Sequence, residues 1–380
     1  MLLFTPGPTP IPENIRKAMS RPTIHHRTPE FERLFEDCRS SLLALLGMHE
    51  VLMLASSGTG AMEACMTSLC TKKALTINSG KFGERFSKIA ESLKIPYVEI
   101  KNEWDTPASV EEVISIIKND KDIDAVFLQA CESAGGLRHP FEEIALAVKE
   151  VNPDIMVIVD CITTLGVEFI DVHDIDAVIG GSQKAFMLPP GLSFIGLSEP
   201  AVDLIEERNV GYYFNLKTEL KNQRKNTTAY TPATTIIEGL YSYFEQANQI
   251  GFNYIYQQTR SRSLATQEAL REIGLKIYPK NPAVAMTTII DEKNAESIRK
   301  VLKSEYHVNI AGGQDHLKGK IFRINHMGAI PIHESAWVLN AIELALEKLG
   351  IRPFDGRANY IFMKRFYGEI QTKNCFGQLG

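Results

Sequence analysis

Asp160 and Lys184 are the two residues of this chain whose types and settings point most directly to chemistry. Each follows an apolar run. Residues 155–159 close on Asp160, and residues 177–179 lead through Gly180 and Gly181 to Lys184. In an open α/β sheet, ligands bind in the crevice beyond the carboxyl ends of the strands. A carboxylate and an amine at two such ends therefore face one cavity. The amine can form an imine with the aldehyde of pyridoxal phosphate. The carboxylate can keep the pyridine nitrogen protonated, so that the ring accepts electrons from a substrate carbanion. Taken alone, the pair fits a surface Asp and a surface Lys that never meet equally well. The rest of the chain has to decide.

Several other stretches have the chemistry such a site needs. Ser57-Gly58-Thr59-Gly60 is a small polar turn that opens a helical run. Free backbone N–H groups and the positive helix end make such a turn an anion site, best suited to a phosphate. The spacing is neither a Walker loop nor a dinucleotide fingerprint. Phe82 lies at a strand-to-helix turn between Gly80 and Gly83, poorly placed for a core and well placed to stack on a flat ring. A hydrophobic staple is the plainer alternative. Ser133, in the strand-end loop 132–138, can hydrogen-bond a cofactor oxygen, and its neighbour Glu132 is either a site residue or solvated. Arg323 stands in the apolar frame Ile321-Phe322-Arg323-Ile324-Asn325, where its fork suits a carboxylate; an internal salt bridge explains it equally well. Gly7, in the proline-rich start, joins Arg323 as a candidate substrate contact. The pair His25-His26 has no third ligand nearby, so a structural or substrate-rim role outweighs a metal site.

The elements that position these residues alternate. Strands near 51–54, 74–78, 97–100, 125–130, 155–159, 177–179 and 194–197 are separated by helical stretches, which predicts a mostly parallel sheet with helices on both faces. Thr28-Pro29 opens a helix that runs to Leu46 and stops at Gly47. Residues 235–273 are helical with a break near Gly251, and the later strands and helices form a smaller α+β unit. The expected organisation is an N-terminal arm over 1–20, a large cofactor-binding domain over 21–258, a small C-terminal domain over 259–355 and a tail over 356–380. The prolines up to Pro12 hold the arm extended, and it needs a surface to lie on, its own chain's or a partner's. The polar stretch 216–229 and the tail carry no readable function.

At 380 residues, 44% apolar and 23% charged, the composition is that of a soluble globular enzyme. A net charge of −5 gives no pull toward nucleic acid or anionic lipid. No apolar run approaches the roughly 18 residues of a membrane span. The start is too short and proline-rich for a signal peptide. Six scattered cysteines without a CxxC pair read as reduced thiols of a cytoplasmic protein, with no metal site.

Together, Ser57-Gly58-Thr59-Gly60, Val159-Asp160, Gly181-Ser182-Gln183-Lys184, and Ala311-Gly312-Gly313-Gln314 followed by the frame around Arg323 resemble the class V branch of fold-type I pyridoxal-phosphate enzymes, specifically the alanine–glyoxylate / serine–pyruvate aminotransferases. The resemblance spans nearly the whole chain, from Thr5-Pro6-Gly7-Pro8 to the helix ending near Leu349. It implies a mostly parallel seven-stranded-type sheet in the large domain. It also implies that Lys184 carries the cofactor and acts as general base, and that Asp160 pairs with the pyridine nitrogen. Gln183 would bond the ring-hydroxyl side, Ser57, Gly58 and Thr59 would hold the phosphate, Phe82 would stack, and Arg323 would bind the substrate α-carboxylate. Family members are homodimers with shared sites, so Thr231 of one chain would reach the phosphate of the other. The implied reaction moves an amino group from alanine or serine to glyoxylate or pyruvate. Many relatives carry Trp where this chain has Phe82, and some carry Tyr where it has Thr228. A 2-aminoethylphosphonate or ureidoglycine aminotransferase is the nearest alternative. A cysteine desulfurase would need a mobile Cys, which the loop 311–319 lacks. A non-catalytic accessory protein would have no physical need for a buried amine.

Overall fold

The computed structural model describes residues 1–374, and the side-chain surroundings of residues 1–368. Cys375 and the five residues after it lie outside the described residues.

The alternation of apolar runs resolves into a seven-stranded sheet. Its order is Glu50–Leu54, Ser193–Leu197, Ala177–Gly181, Met156–Asp160, Ile123–Gln129, Lys73–Asn78 and Tyr97–Lys101. Only Ser193–Leu197 runs against its neighbours, so the other six strands share one direction. In the strands Glu50–Leu54, Met156–Asp160, Ala177–Gly181 and Ser193–Leu197 every residue is buried, as a sheet covered on both faces requires. One face packs on the helices Pro29–Leu46, Val110–Asn119, Phe141–Val151 and Thr234–Ile250. The other packs on Gly58–Leu69, Gly83–Ser92 and Glu199–Glu207.

Local signals set the helix ends. The Thr28 hydroxyl accepts the Phe31 N–H, Pro29 takes the first helical position, and Gly47 closes the helix at φ +67°. Within the stretch 216–229, the helix Leu216–Gln223 covers the edge strand. The Gln223 amide donates to the Met53 carbonyl at 2.8 Å and accepts the Met53 N–H at 2.9 Å, filling the backbone groups an edge leaves open.

A second, five-stranded sheet has the order Leu2–Phe4, Val308–Gly312, Ile321–Asn325, Met286–Ile290 and Lys276–Ile277. The chain's first strand is thus part of a sheet built otherwise from its last third, with Leu2 opposite Val308 and Phe4 opposite Ile310. Phe4 enters the core of this unit with Phe322, Phe362 and Phe366. The last two sit on the helix Arg357–Asn374, which packs along Phe252–Glu272. On either side of the first prolines, Leu2–Phe4 and Thr9 are bonded to this same chain. No helix among the described residues is long and apolar enough to cross a membrane.

Candidate active site

Six parallel strands send their carboxyl ends to one edge of the large sheet, and Ser57, Phe82, Ser133, Asp160 and Lys184 leave from those ends. Lys184 follows the strand Ala177–Gly181 by three residues. Its backbone is fastened from the start of the chain. The Thr9 hydroxyl donates to the Lys184 carbonyl at 2.7 Å, and the Thr9 N–H donates to the Gln183 carbonyl at 3.1 Å. The Met187 N–H bonds the same Lys184 carbonyl at 3.0 Å. Lys184 Nζ donates to the Pro6 carbonyl. Burial disfavours the ammonium, and the nearby Arg323 adds to the effect, bringing the amine down to about 8.

Gly7 has φ +102°, and a Cβ there would lie 2.6 Å from both Cδ and Nζ of Lys184. Only glycine gives the lysine room at this point. Gly7→Ala is therefore expected to lose about 1–3 kcal/mol of stability through strain and crowding and to displace the amine. Urea unfolding and turnover measured side by side would check this; a variant unchanged in both would show that the arm stands off the lysine.

Asp160 ends the central strand Met156–Asp160 and is 5% exposed. Its Oδ1 accepts the Ile162 N–H at 3.0 Å. Burial raises its carboxyl to about 6, against the lowering effect of that bond, of Arg85 and of Lys184. Ile162 also abuts the turn after Glu50–Leu54: a Cβ on Gly58 would meet the Ile162 Cδ1 at 2.1 Å. The close approach that only glycine permits thus sets the helix Gly58–Leu69 beside Asp160. Ser57 is the N-cap of that helix, and its side chain makes no capping hydrogen bond to the first-turn N–H groups.

The turn 79–83 is held by Glu132. This fully buried carboxylate accepts from the Phe82, Gly83 and Ala134 N–H groups, each at 2.9 Å. Burial pushes it up to about 7 despite those three donors. It is buried rather than solvated, and it joins two strand-end loops. Ser133 is 5% exposed, and its carbonyl accepts from Arg323 Nη1. Arg323 Nε and Nη2 bond the Gly312 carbonyl at 3.2 and 2.8 Å. Three of its five N–H groups are therefore engaged, by two carbonyl oxygens, leaving one on each terminal nitrogen. No carboxylate among the described residues lies within ion-pair distance of Arg323, so the salt-bridge alternative falls away. Burial lowers the guanidinium to about 10.

Arg85 completes the crevice and escaped the sequence reading. It stands on the first turn of Gly83–Ser92, three residues after Phe82, with its guanidinium 4.7 Å from the centre of the Phe82 ring. It donates to the Thr59 hydroxyl at 3.0 Å and holds Asp160 down electrostatically. A cation near a helix N-terminus is disfavoured by the dipole, which was the available signal. Thr231 lies near the strand end that leads into the Ser57 turn. It is exposed and lines a shallow depression with Tyr213 and Tyr230 beside Ala55. The His25 and His26 rings lie 4.9 Å apart, tilted by 30°, and no group of metal-ligating side chains occurs among the described residues.

The donor set is an uncapped helix start, a flat aromatic face, a buried carboxylate, a buried amine and a fork with two open donors. It suits a ring that bears a phosphate, a basic nitrogen and an aldehyde, and a substrate that bears a carboxylate. The family model for class-V aminotransferases matches residues 2–328. The chain belongs to the class-V aminotransferase family. It is similar to an uncharacterised aminotransferase of Helicobacter pylori, 55% identical over 97% of this chain and all of that protein. It is similar at 29% identity, over 92% of this chain and 90% of the relative, to the serine–glyoxylate aminotransferase of Hyphomicrobium methylovorum. Among solved structures, a Thermus thermophilus aspartate aminotransferase of subgroup IV superposes with a TM-score of 0.86 at 29% identity, covering 92% of this chain and 99% of that one. Class-V aminotransferases are pyridoxal-phosphate-dependent transaminases of fold-type I, and the seven-stranded sheet and smaller second unit follow that architecture.

Proposed function

We propose that this class-V aminotransferase moves an amino group from a small amino acid, alanine or serine, to a 2-oxo acid, glyoxylate or pyruvate. The observation that carries the reading is the buried Lys184 amine, brought down to about 8 within electrostatic reach of Asp160 and Arg323. The serine–glyoxylate relative supports the choice of donor and acceptor.

Lys184 would hold the cofactor, with Ser57, Gly58 and Thr59 at its phosphate, Phe82 on its ring face, Gln183 and Ser133 at its oxygens, and Asp160 at its pyridine nitrogen. When bound, pyridoxal phosphate supplies an aldehyde for amine exchange and a ring that takes up the electrons freed at the substrate α-carbon. Lys184 Nζ takes the α-proton from the amino acid and later gives a proton to the α-carbon of the 2-oxo acid. Arg323 receives the substrate carboxylate on its two open N–H groups. Gly7, against the lysine, leaves space where a side chain would block approach. Arg85 faces the phosphate side through Thr59.

A neutral amine is the nucleophile. The apoprotein should therefore take up pyridoxal phosphate at a rate that climbs with pH through about 8 and levels above it. Stopped-flow absorbance across pH 6–10 would check this, and a flat profile would remove Lys184 from the role. The test of the whole reading is the visible spectrum of the holoenzyme with L-alanine, then L-serine, each followed by glyoxylate. Loss of the band with the donor and its return with the oxo acid is expected. A band that persists with both donors would move the reading toward another amine, such as 2-aminoethylphosphonate or ureidoglycine.

The described cysteines are all buried, and burial pushes Cys131 up to about 12, so no exposed thiol among them serves desulfuration. Buried free thiols accord with a cytoplasmic protein. Thr231, together with the exposed Tyr212 and Tyr213, supports a homodimer in which each chain completes the other's phosphate site. A solution mass of 42.5 kDa by light scattering would remove that partner.

A further inference from the structure

The turn after Lys184 has two sides. One side faces the crevice. Behind the other, in the elbow between the helices Thr234–Ile250 and Phe252–Glu272, lies a cavity of about 210 Å³. Its wall includes Ala185, Met187, Tyr243, Ala247, Ile255 and Arg262. Lys184, Asp160, Arg323 and Phe82 do not line it, so it is not the crevice seen from behind.

Three features mark it as a site rather than loose packing. First, its size exceeds the ~150 Å³ of an apolar cavity that holds benzene. Second, Tyr243 is only 3% exposed, and its hydroxyl, which bonds no group among the described residues and is not sealed from solvent, opens on the cavity; it stands 3.6 Å from the point a Cβ on Gly166, another wall residue, would occupy. A buried phenol normally finds a partner. Third, Arg262 is 5% exposed and bonds only the His326 and Ile330 carbonyls, at 2.8 and 2.9 Å. Its Nε has no partner, and no carboxylate on the cavity wall balances its charge. A buried cation without a counter-ion is costly and is relieved by an anion.

We infer that this cavity binds a small monocyclic aromatic carboxylate. The ring lies among Met187, Ala247 and Ile255, the carboxylate sits in the field of Arg262, and a polar ring substituent or carboxylate oxygen meets the Tyr243 hydroxyl. The occupant would rest on Met187, which is held in the left-handed region at φ +55° and whose N–H secures the Lys184 carbonyl. The site thus touches the reactive turn without entering the crevice.

The test is isothermal calorimetry of the holoenzyme with sodium benzoate, and with benzyl alcohol as the uncharged counterpart. One benzoate per chain is expected, with a Kd of about 1 mM, the scale for a ligand of this size. Benzyl alcohol should bind about 10-fold more weakly. Ala247→Leu, which fills the cavity, should abolish benzoate binding, and Ala329→Leu at the rim should weaken it if the first variant folds poorly. Arg323→Ala should leave it intact. Binding lost in Arg323→Ala but kept in both leucine variants would place benzoate in the crevice and overturn the inference. Absence of binding to the wild type would overturn it as well, and equal affinity for benzyl alcohol would overturn the anionic ligand class. None of these results bears on the transamination spectrum, so the two readings fail separately.

Discussion

Replacement of Lys184 by alanine is expected to lower transamination by at least about 10⁴-fold while the protein still takes up pyridoxal phosphate without a covalent link. The fold should survive. The bonds that fasten this turn run to main-chain atoms: Thr9 to the Lys184 and Gln183 carbonyls, and Met187 to the Lys184 carbonyl. Alanine keeps all of them and removes only the amine and its contact with Pro6. The loss should fall on the proton transfer at the α-carbon, so single-turnover spectra with L-alanine should show binding without conversion. Added methylamine should restore part of the rate, because a small free amine can enter the space the side chain vacates. Ordinary turnover in the variant would contradict the assignment, as would a total loss of cofactor binding.

Asp160→Asn is expected to separate activity from stability. Asparagine keeps the volume and the acceptor for the Ile162 N–H. It removes the charge that would hold a proton on the cofactor ring, which should cost about 10²–10³-fold in kcat. The apoprotein should gain stability in exchange. Burial raises Asp160 to about 6 from the ordinary 3.8. A carboxyl raised in the folded state favours folding while protonated; that contribution is complete below pH 3.8 and is lost as pH rises through about 6. Above pH 6 the wild type therefore carries a buried charge that the variant lacks. The Asn protein should be more stable by about 1–3 kcal/mol at pH 7 and no more stable near pH 4. Urea midpoints at the two pH values would read this, and an equal difference at both would show that Asp160 is not charged by burial-limited titration. A side chain kept ionised at such a cost fits a group retained for chemistry.

The local layer of this protein was legible in its sequence. Unbroken apolar runs mark the strands, and the helix over Pro29–Leu46 announced itself through Thr28, Pro29 and Gly47. Positions at strand ends marked Asp160 and Lys184, because a polar group after a buried run must leave the sheet at its edge. Phe82 was visible because glycines flank it at a strand-to-helix turn, where an aromatic is poorly placed for a core.

Contacts across long sequence separation were not legible. Nothing in Leu2–Phe4 names Val308 as a partner, and nothing in Gly7 or Thr9 says that each meets Lys184. Glu132 could be read as solvated until its three backbone donors, two of them some 50 residues away, were in place. Arg323 carried two meanings until its bonds proved to run to the Gly312 and Ser133 carbonyls, with Glu132 near but not paired to it, and Arg85 acquired its meaning only beside Thr59 and Phe82. The cavity behind Met187 has no counterpart in the sequence at all, since it is a volume left by two helices meeting at Gly251. Sequence alone determined the residue types, the alternation and the strand ends, because these follow from backbone sterics and periodic burial within a few residues. Tertiary structure decided which of those groups share a crevice, what each is bonded to and which protonation state burial favours, because these depend on distance and dielectric between parts of the chain that only folding brings together.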